Sequence, residues 1–286
     1  MFNLFSGKYI VNFDPFAVHF PQGFFLEGIR WYGLSYLAGF VAALLLFNLY
    51  SKKRISKLTA DDNSSLICYM LFGVLLGGRL GYMLFYKFGE LCENPLELFY
   101  VWHGGMASHG GFIGVILAAW LFAKSRKLPF LYIGDIVVSV ASCGILFGRL
   151  ANFINGELWG KVSDCPLAMI FPNSAPNLPY DQILARHPSQ LYEAFLEGLV
   201  LFIYAQTRFW RTKFRLGALS GEWLVLYGVF RIICEIFREP DRGITLIMGL
   251  SRGTFYSVFT IFAGLLFILY SRKNKRFIDY NESSIQ

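Results

Sequence analysis

Charge is scarce in this sequence. Asp, Glu, Lys and Arg make up 16% of its 286 residues, where a soluble globular chain carries about a quarter. So little charge beside 55% hydrophobic residues excludes an ordinary soluble domain. The five cysteines, Cys68, Cys92, Cys143, Cys165 and Cys234, contain no C-x-x-C pair and no metal-ligand spacing. No metal is therefore expected, and no cofactor is expected. Cys68, Cys143 and Cys234 lie in apolar stretches and read as small core residues. Also missing is the recurrent strand-length alternation of a membrane barrel, and no internal repeat of the kind common in transporters is visible. The net charge of +7 is not gathered into one basic face or arm, so no nucleic acid partner is expected. The first 25 residues hold Asp14, Pro15 and Pro21 and no compact apolar run behind a basic start, so no cleavable leader is expected.

What is abundant is apolar length. Thirty Phe, 16 Tyr and 6 Trp supply lipid-facing surface and interfacial belts. A membrane-spanning helix needs about 20 mostly apolar residues. Seven stretches qualify: 28–50, 65–87, 107–123, 131–154, 188–206, 218–237 and 253–271. The fold class expected is an all-α polytopic membrane protein. A segment over 1–27 lies outside or along the interface, spans one to four cover 28–155, and a head loop runs over 156–187. Spans five to seven cover 188–272, and 273–286 is a tail.

Orientation follows from the basic residues in the connections. Fifteen lie on one side, such as Lys52, Lys53 and Arg54 after the first span and Arg272 and Lys273 after the seventh. Eight lie on the other. This asymmetry predicts an outside N-terminus and a cytoplasmic C-terminus. Cys92 and Cys165 then share the outer side, which leaves a disulfide between them open. The head loop holds Pro166, Pro172, Pro176 and Pro179, and its piece Leu167–Phe171 suits a short strand. It reads as a small cap.

Three arginines remain inside apolar spans: Arg79, Arg149 and Arg231. A charge at the centre of a membrane helix costs at least about 2.5–3.5 kcal/mol, so such residues normally mark a functional site or an internal ion pair. For Arg79, in Gly77-Gly78-Arg79-Leu80-Gly81, packing and function are equally open. Arg149 begins a stripe with Asn152 and Gly156 on one helix face, with Glu157 placed to orient the guanidinium. An Arg fork beside an amide suits a phosphate or carboxylate. Arg231, Glu235 and Arg238 share a face as well. One Glu against two arginines leaves a net positive face for an anion. His109 is a candidate base or merely a helix-end residue, and Tyr32 is a candidate site residue or part of an aromatic belt. Pro188 suits the first turn of a helix whose positive end would welcome an anion near His187 and Gln190.

Gly148-Arg149-Leu150-Ala151-Asn152-Phe153-Ile154-Asn155-Gly156-Glu157-Leu158-Trp159-Gly160 resembles the signature of the bacterial prolipoprotein diacylglyceryl transferases. The likeness extends through Trp31-Tyr32-Gly33-Leu34, Leu76-Gly77-Gly78-Arg79, His109-Gly110-Gly111, Arg186-His187-Pro188-Ser189-Gln190-Leu191-Tyr192-Glu193 and Phe230-Arg231-Ile232-Ile233-Cys234-Glu235. The resemblance implies transfer of the diacylglyceryl unit of phosphatidylglycerol to the lipobox cysteine of a preprolipoprotein, in the bacterial cytoplasmic membrane. It implies Arg149 and Arg231 as the pair at the phosphate, with His109 and Tyr32 also catalytic. Asn152, Glu157, Gly160, Glu235, Arg238, His187 and Gln190 are expected at the substrate. Two positions depart from the family pattern: Arg30 stands where His is frequent, and Glu239 where an amide is common. The competing reading is a transporter or flippase of an anionic lipid, which would use the same arginines. An intramembrane hydrolase fits less well, because Ser139 and Ser142 have no His in their own span.

Overall fold

A computed structural model of the chain describes residues 2–3, 7–21, 23, 27–100, 104–211, 215–240 and 249–273. His103, the connection 241–248 and the expected tail beyond 273 lie outside the described residues. Helices cover all seven apolar stretches: α1 (Trp31–Lys52), α2 (Ala60–Tyr86), α4 (Ser108–Ser125), α5 (Phe130–Ile154), α6 (Ser189–Glu193) continuing to α7 (Leu201–Arg211), α8 (Ala218–Phe237) and α9 (Arg252–Lys273). A short α3 (Phe88–Glu93) follows α2. Four of them, α1, α2, α5 and α9, are long and apolar enough to cross a membrane. In α1 and α9 only 11% of the apolar stretch is buried within the protein. Leu37, Leu45, Phe259, Phe262 and Leu269 point outward, each more than half exposed. Side chains of this size in unbroken rows need an apolar solvent, which makes this a multi-pass membrane protein.

The residues fall into two compact units, one from 1–42 with 138–277 and the other centred on 43–137. In the second unit α2 and α4 cross in near-contact. A Cβ on Gly77 would lie 2.4 Å from Gly110 O, and one on Gly114 would lie 2.0 Å from Gly73 O. Small residues every fourth position let backbones approach this way in membranes, where van der Waals packing replaces the hydrophobic drive. Gly77 and Gly81 thus serve helix packing, as their neighbourhood to Arg79 suggested. Cys68 is exposed on α2, not in a core, because its side of the helix faces away from α4; Cys143 and Cys234 are buried. All five cysteines are free, Cys92 and Cys165 included.

Arg79 is buried and spent on its own unit. Its Nε donates to Leu98 O at 3.2 Å, Nη2 to Glu97 O at 2.5 Å and Nη1 to Gly104 O, with Glu97 Oε1 3.3 Å from Nη2. One planar fork thereby ties down the chain that returns from α2 to α4. Gly104 and Gly105 adopt positive φ there, at 78° and 82°. Of the two possibilities open for Arg79, the contacts describe packing.

In the first unit, strands β1 (Phe2–Asn3) and β2 (Lys8–Tyr9) pair antiparallel, as do β3 (Phe16–His19) and β4 (Gly28–Arg30), which leads directly into α1. Ile10, Ile170 and Ile183 form a small core that joins the N-terminal segment to the 156–187 loop. The piece expected as a strand begins in a turn, with Ala168 N donating to Cys165 O, and makes only single bridges, Met169 with Arg186 and Ile170 with Ile10. Lys8 Nζ adds bonds to the carbonyls of Asp164 and Cys165 at 3.2 and 2.6 Å. Deeper in this unit, Gly221 and Gly264 bring α8 and α9 together, each Cβ position lying within 2.8 Å of the other's carbonyl oxygen.

Candidate active site

Two fully buried carboxylates organise the first unit. Glu193 ends α6, and Glu197 lies in a π-helical turn, Ala194–Val200, that continues it. Wide turns of this kind inside helices are frequent at functional sites, because they redirect side chains that a regular helix would carry round. The backbone is pressed close here: a Cβ on Gly198 would meet Leu146 Cα at 2.8 Å.

Arginines from two other helices close on this pair. From α5, Arg149 Nε stands 2.9 Å from Glu193 Oε2, a charge contact and not an aligned hydrogen bond, and Nη2 stands 3.7 Å from Glu197 Oε2. From α8, Arg231 Nη1 donates to Glu193 Oε1 at 2.5 Å and reaches Glu197 Oε1 at 3.5 Å. Its Nη2 donates to Glu235 Oε1. Arg238, just past α8, donates from Nη1 to Glu193 Oε1 at 3.3 Å, and its Nε lies 3.9 Å from Glu235 Oε1.

These contacts correct the charge balance expected from the sequence. The face of Arg231, Glu235 and Arg238 is not net positive, because Glu193 and Glu197 bring three guanidiniums and three carboxylates together. The omission has a plain cause. The rule that flags charge at membrane depth applies to carboxylates as well as arginines, and both glutamates lie in the apolar stretch 188–206.

Glu235 is held from a third side. Ser251 Oγ donates to Glu235 Oε2 at 2.7 Å and accepts from Thr254 N at 3.1 Å, which caps the start of α9. The carboxylate therefore sits at a helix N-terminus, where the dipole favours negative charge. Gly253 leaves it room, since a Cβ there would lie 2.3 Å from Glu235 Oε1. Neither Ser251 nor Gly253 carries a sequence signal of its own.

The end of α5 differs from the expected stripe. Asn152 is buried on the helix, but Gly156 lies beyond it at φ 60°, followed by Leu158 at φ 58°. Glu157 accepts from Asn152 Nδ2 at 2.8 Å and Asn155 Nδ2 at 3.3 Å, while the carboxylates on Arg149 are Glu193 and Glu197. Gln190 is fully buried and donates to Glu157 O at 2.6 Å, so it braces this turn. His187 Nδ1 lies 3.1 Å from Tyr192 Oη and 3.6 Å from Cys165 Sγ. Gly160 sits where three chain segments meet. Gly160 N donates to His187 O at 2.8 Å, the residue bridges Arg238, and an added Cβ would lie 2.5 Å from Phe237 O. Only a hydrogen fits in place of that Cβ.

Tyr32, in the first turn of α1, is 39% exposed, with its hydroxyl 3.5 Å from that of Tyr36. It is close enough to Arg149 and Glu157 to feel their charges. The first unit thus gathers Arg149, Arg231, Glu235, Arg238, Asn152, Glu157 and Tyr32, with Gly160, His187 and Gln190 as bracing around them. His109 belongs to the second unit, exposed in the first turn of α4.

The model of the prolipoprotein diacylglyceryl transferase family matches residues 21–270. The chain belongs to that family. Among its relatives, a phosphatidylglycerol–prolipoprotein diacylglyceryl transferase of Cupriavidus metallidurans is 43% identical over 268 residues, covering 91% of this chain and 94% of its own. One from Pseudoalteromonas translucida is 46% identical over 246 residues, 86% and 89% of the two chains. One from Photorhabdus laumondii is 42% identical over 287 residues, 94% and 97% of the two chains. The family match spans both units, so the arginine–glutamate cluster and His109 both lie inside it.

Proposed function

We propose that this protein transfers the sn-1,2-diacylglyceryl group of phosphatidylglycerol to the lipobox cysteine thiol of a preprolipoprotein, releasing glycerol 1-phosphate. In the reaction a sulfur–carbon bond forms at the glycerol carbon while the carbon–oxygen bond to phosphate breaks. The electron pair goes to the phosphate oxygen, and the thiol proton is removed by a base. The chemistry therefore asks for fixed positive charge where the phosphate departs, in a site that excludes water. The observation that carries the reading is the convergence of Arg149 and Arg231, from separate helices, on one buried carboxylate pair. The carboxylates hold both guanidiniums in fixed positions before substrate arrives, so little reorganisation accompanies the charge shift. Asn152, Glu157, Glu235, Arg238, Gly160, His187 and Gln190 complete or brace the lipid site, with Tyr32 beside it. His109 is the proposed proton acceptor.

The proposed setting is the bacterial cytoplasmic membrane, crossed seven times, with an outer N-terminus and a cytoplasmic tail. The basic residues of the connections, fifteen against eight, support that orientation. The outer N-terminal segment and the 156–187 loop would then form the cap. Purified protein, phosphatidylglycerol and a lipobox peptide should yield a peptide whose cysteine has gained a diacylglyceryl mass, together with free glycerol phosphate. Movement of lipid between leaflets without such a product would favour the flippase reading instead.

A further inference from the structure

The balance of three guanidiniums and three carboxylates is complete before any substrate arrives. An anionic phosphodiester entering beside Arg149 and Arg231 leaves the buried site one charge too negative, or two when Glu157 is included. Glu193 and Glu197 have no exposed side-chain surface, so neither can swing out to water to make room. Burial of uncompensated charge is costly, and a buried carboxylate relieves it by taking a proton.

The two carboxylates are not equivalent. Glu193 faces three arginines, with contacts of 2.5, 2.9 and 3.3 Å. Glu197 has only the longer ones, 3.5 Å to Arg231 and 3.7 Å to Arg149. The ionisable groups around Glu197 are Arg149 on α5, Glu193 on α6, and Tyr227, Arg231 and Cys234 on α8, with Glu235 and Arg238 next to Arg231. None besides Glu197 combines complete burial with a weakly held negative charge.

We propose that Glu197 takes up a proton when phosphatidylglycerol binds, so that lipid affinity is coupled to pH. This rests on the lipid-binding reading above. Glu197 acts as a charge-balancing and positioning residue; protonated, it leaves the arginines free to answer to the phosphate. Binding that takes up a proton is favoured at low pH. Affinity for the lipid therefore falls as pH rises, by up to about tenfold per pH unit where uptake is complete.

The test is calorimetric titration of the intact protein in detergent with dioctanoyl phosphatidylglycerol, without peptide, in buffers of different ionisation enthalpy. Wild type should take up about one proton per lipid bound. Glu197→Gln, a neutral isostere, should bind lipid with no proton uptake and no pH slope. Lipid binding without proton uptake by wild type overturns the proposal. Uptake that persists in Glu197→Gln assigns the proton elsewhere and overturns it too. Should the variant not fold, a wild-type proton count near zero or an affinity independent of pH still overturns the proposal. Failure of wild type to bind phosphatidylglycerol at all would instead reject the functional reading on which the proposal stands.

Discussion

Arg149 and Arg231 share a counterion: Glu193 Oε2 lies 2.9 Å from Arg149 Nε, and Glu193 Oε1 lies 2.5 Å from Arg231 Nη1. One carboxylate at the end of α6 thus sets the separation of two guanidiniums carried by α5 and α8.

Removal of that carboxylate should be severe. Glu193→Ala leaves the half-buried Arg149 and Arg231 and the buried Arg238 with one counterion fewer, and breaking a buried ion pair from one side costs about 3–5 kcal/mol. Thermal unfolding in detergent should show a large fall in midpoint, and diacylglyceryl transfer should be lost.

Arg149→Ala separates charge from fold. The side chain is 19% exposed and its loss leaves no arginine in that place to meet a departing phosphate. By analogy with loss of one charge-stabilising donor, turnover should fall by about 10²–10³. Arg149→Lys should recover only part, because a single ammonium cannot hold Glu193 and face Glu197 with a planar fork. A rate near wild type for either variant would reject the assignment.

Gly160→Ala tests the meeting of three segments. The new methyl would lie 2.5 Å from Phe237 O and 2.7 Å from His187 O, both backbone atoms that cannot yield singly. We expect at least about 1–3 kcal/mol of destabilisation from overpacking and a marked loss of transfer. Gly89→Ala meets nothing within 4 Å and serves as the neutral control.

Gly253→Ala acts on the site from the far side of Glu235. Its methyl would strike the Glu235 carboxylate, 2.3 Å from Oε1, and push it against Arg231. Ser251→Ala removes the bond to Glu235 and the α9 cap together, a loss of about 1 kcal/mol from the cap alone. Both variants should lower turnover more than they lower the unfolding midpoint.

Arg79→Lys should destabilise without entering the chemistry. Lysine cannot reproduce the fork on Leu98 O, Glu97 O and Gly104 O, and part-buried carbonyls that lose a charged donor should cost about 1 kcal/mol or more in all. Protease cleavage within 94–105 should accelerate; unchanged cleavage and stability would show the clasp to be dispensable.

Much of this was readable along the chain. Apolar runs of spanning length foretell α1, α2, α5 and α9, since lipid solvation is a property of each segment by itself. Arg149 and Arg231 stand out for the same reason, each as the one arginine in an otherwise largely apolar run. Glu157 illustrates the limit. Proximity in sequence suggests it as the partner of Arg149, but the turn at Gly156 and Leu158 directs it to Asn152 and Asn155.

Membrane character, helix positions, family membership and the identity of the suspect arginines were therefore determined by sequence alone, because each depends on local composition or on a contiguous motif. Tertiary structure alone decided the pairing of Arg149 with Arg231 through Glu193, the neutrality of the cluster, the tight fit of Gly160 and Gly253, and the structural use of Arg79. These follow from groups 18 to 77 positions apart meeting in a low-dielectric interior. There burial and distance, not order along the chain, set how strongly charges act on one another.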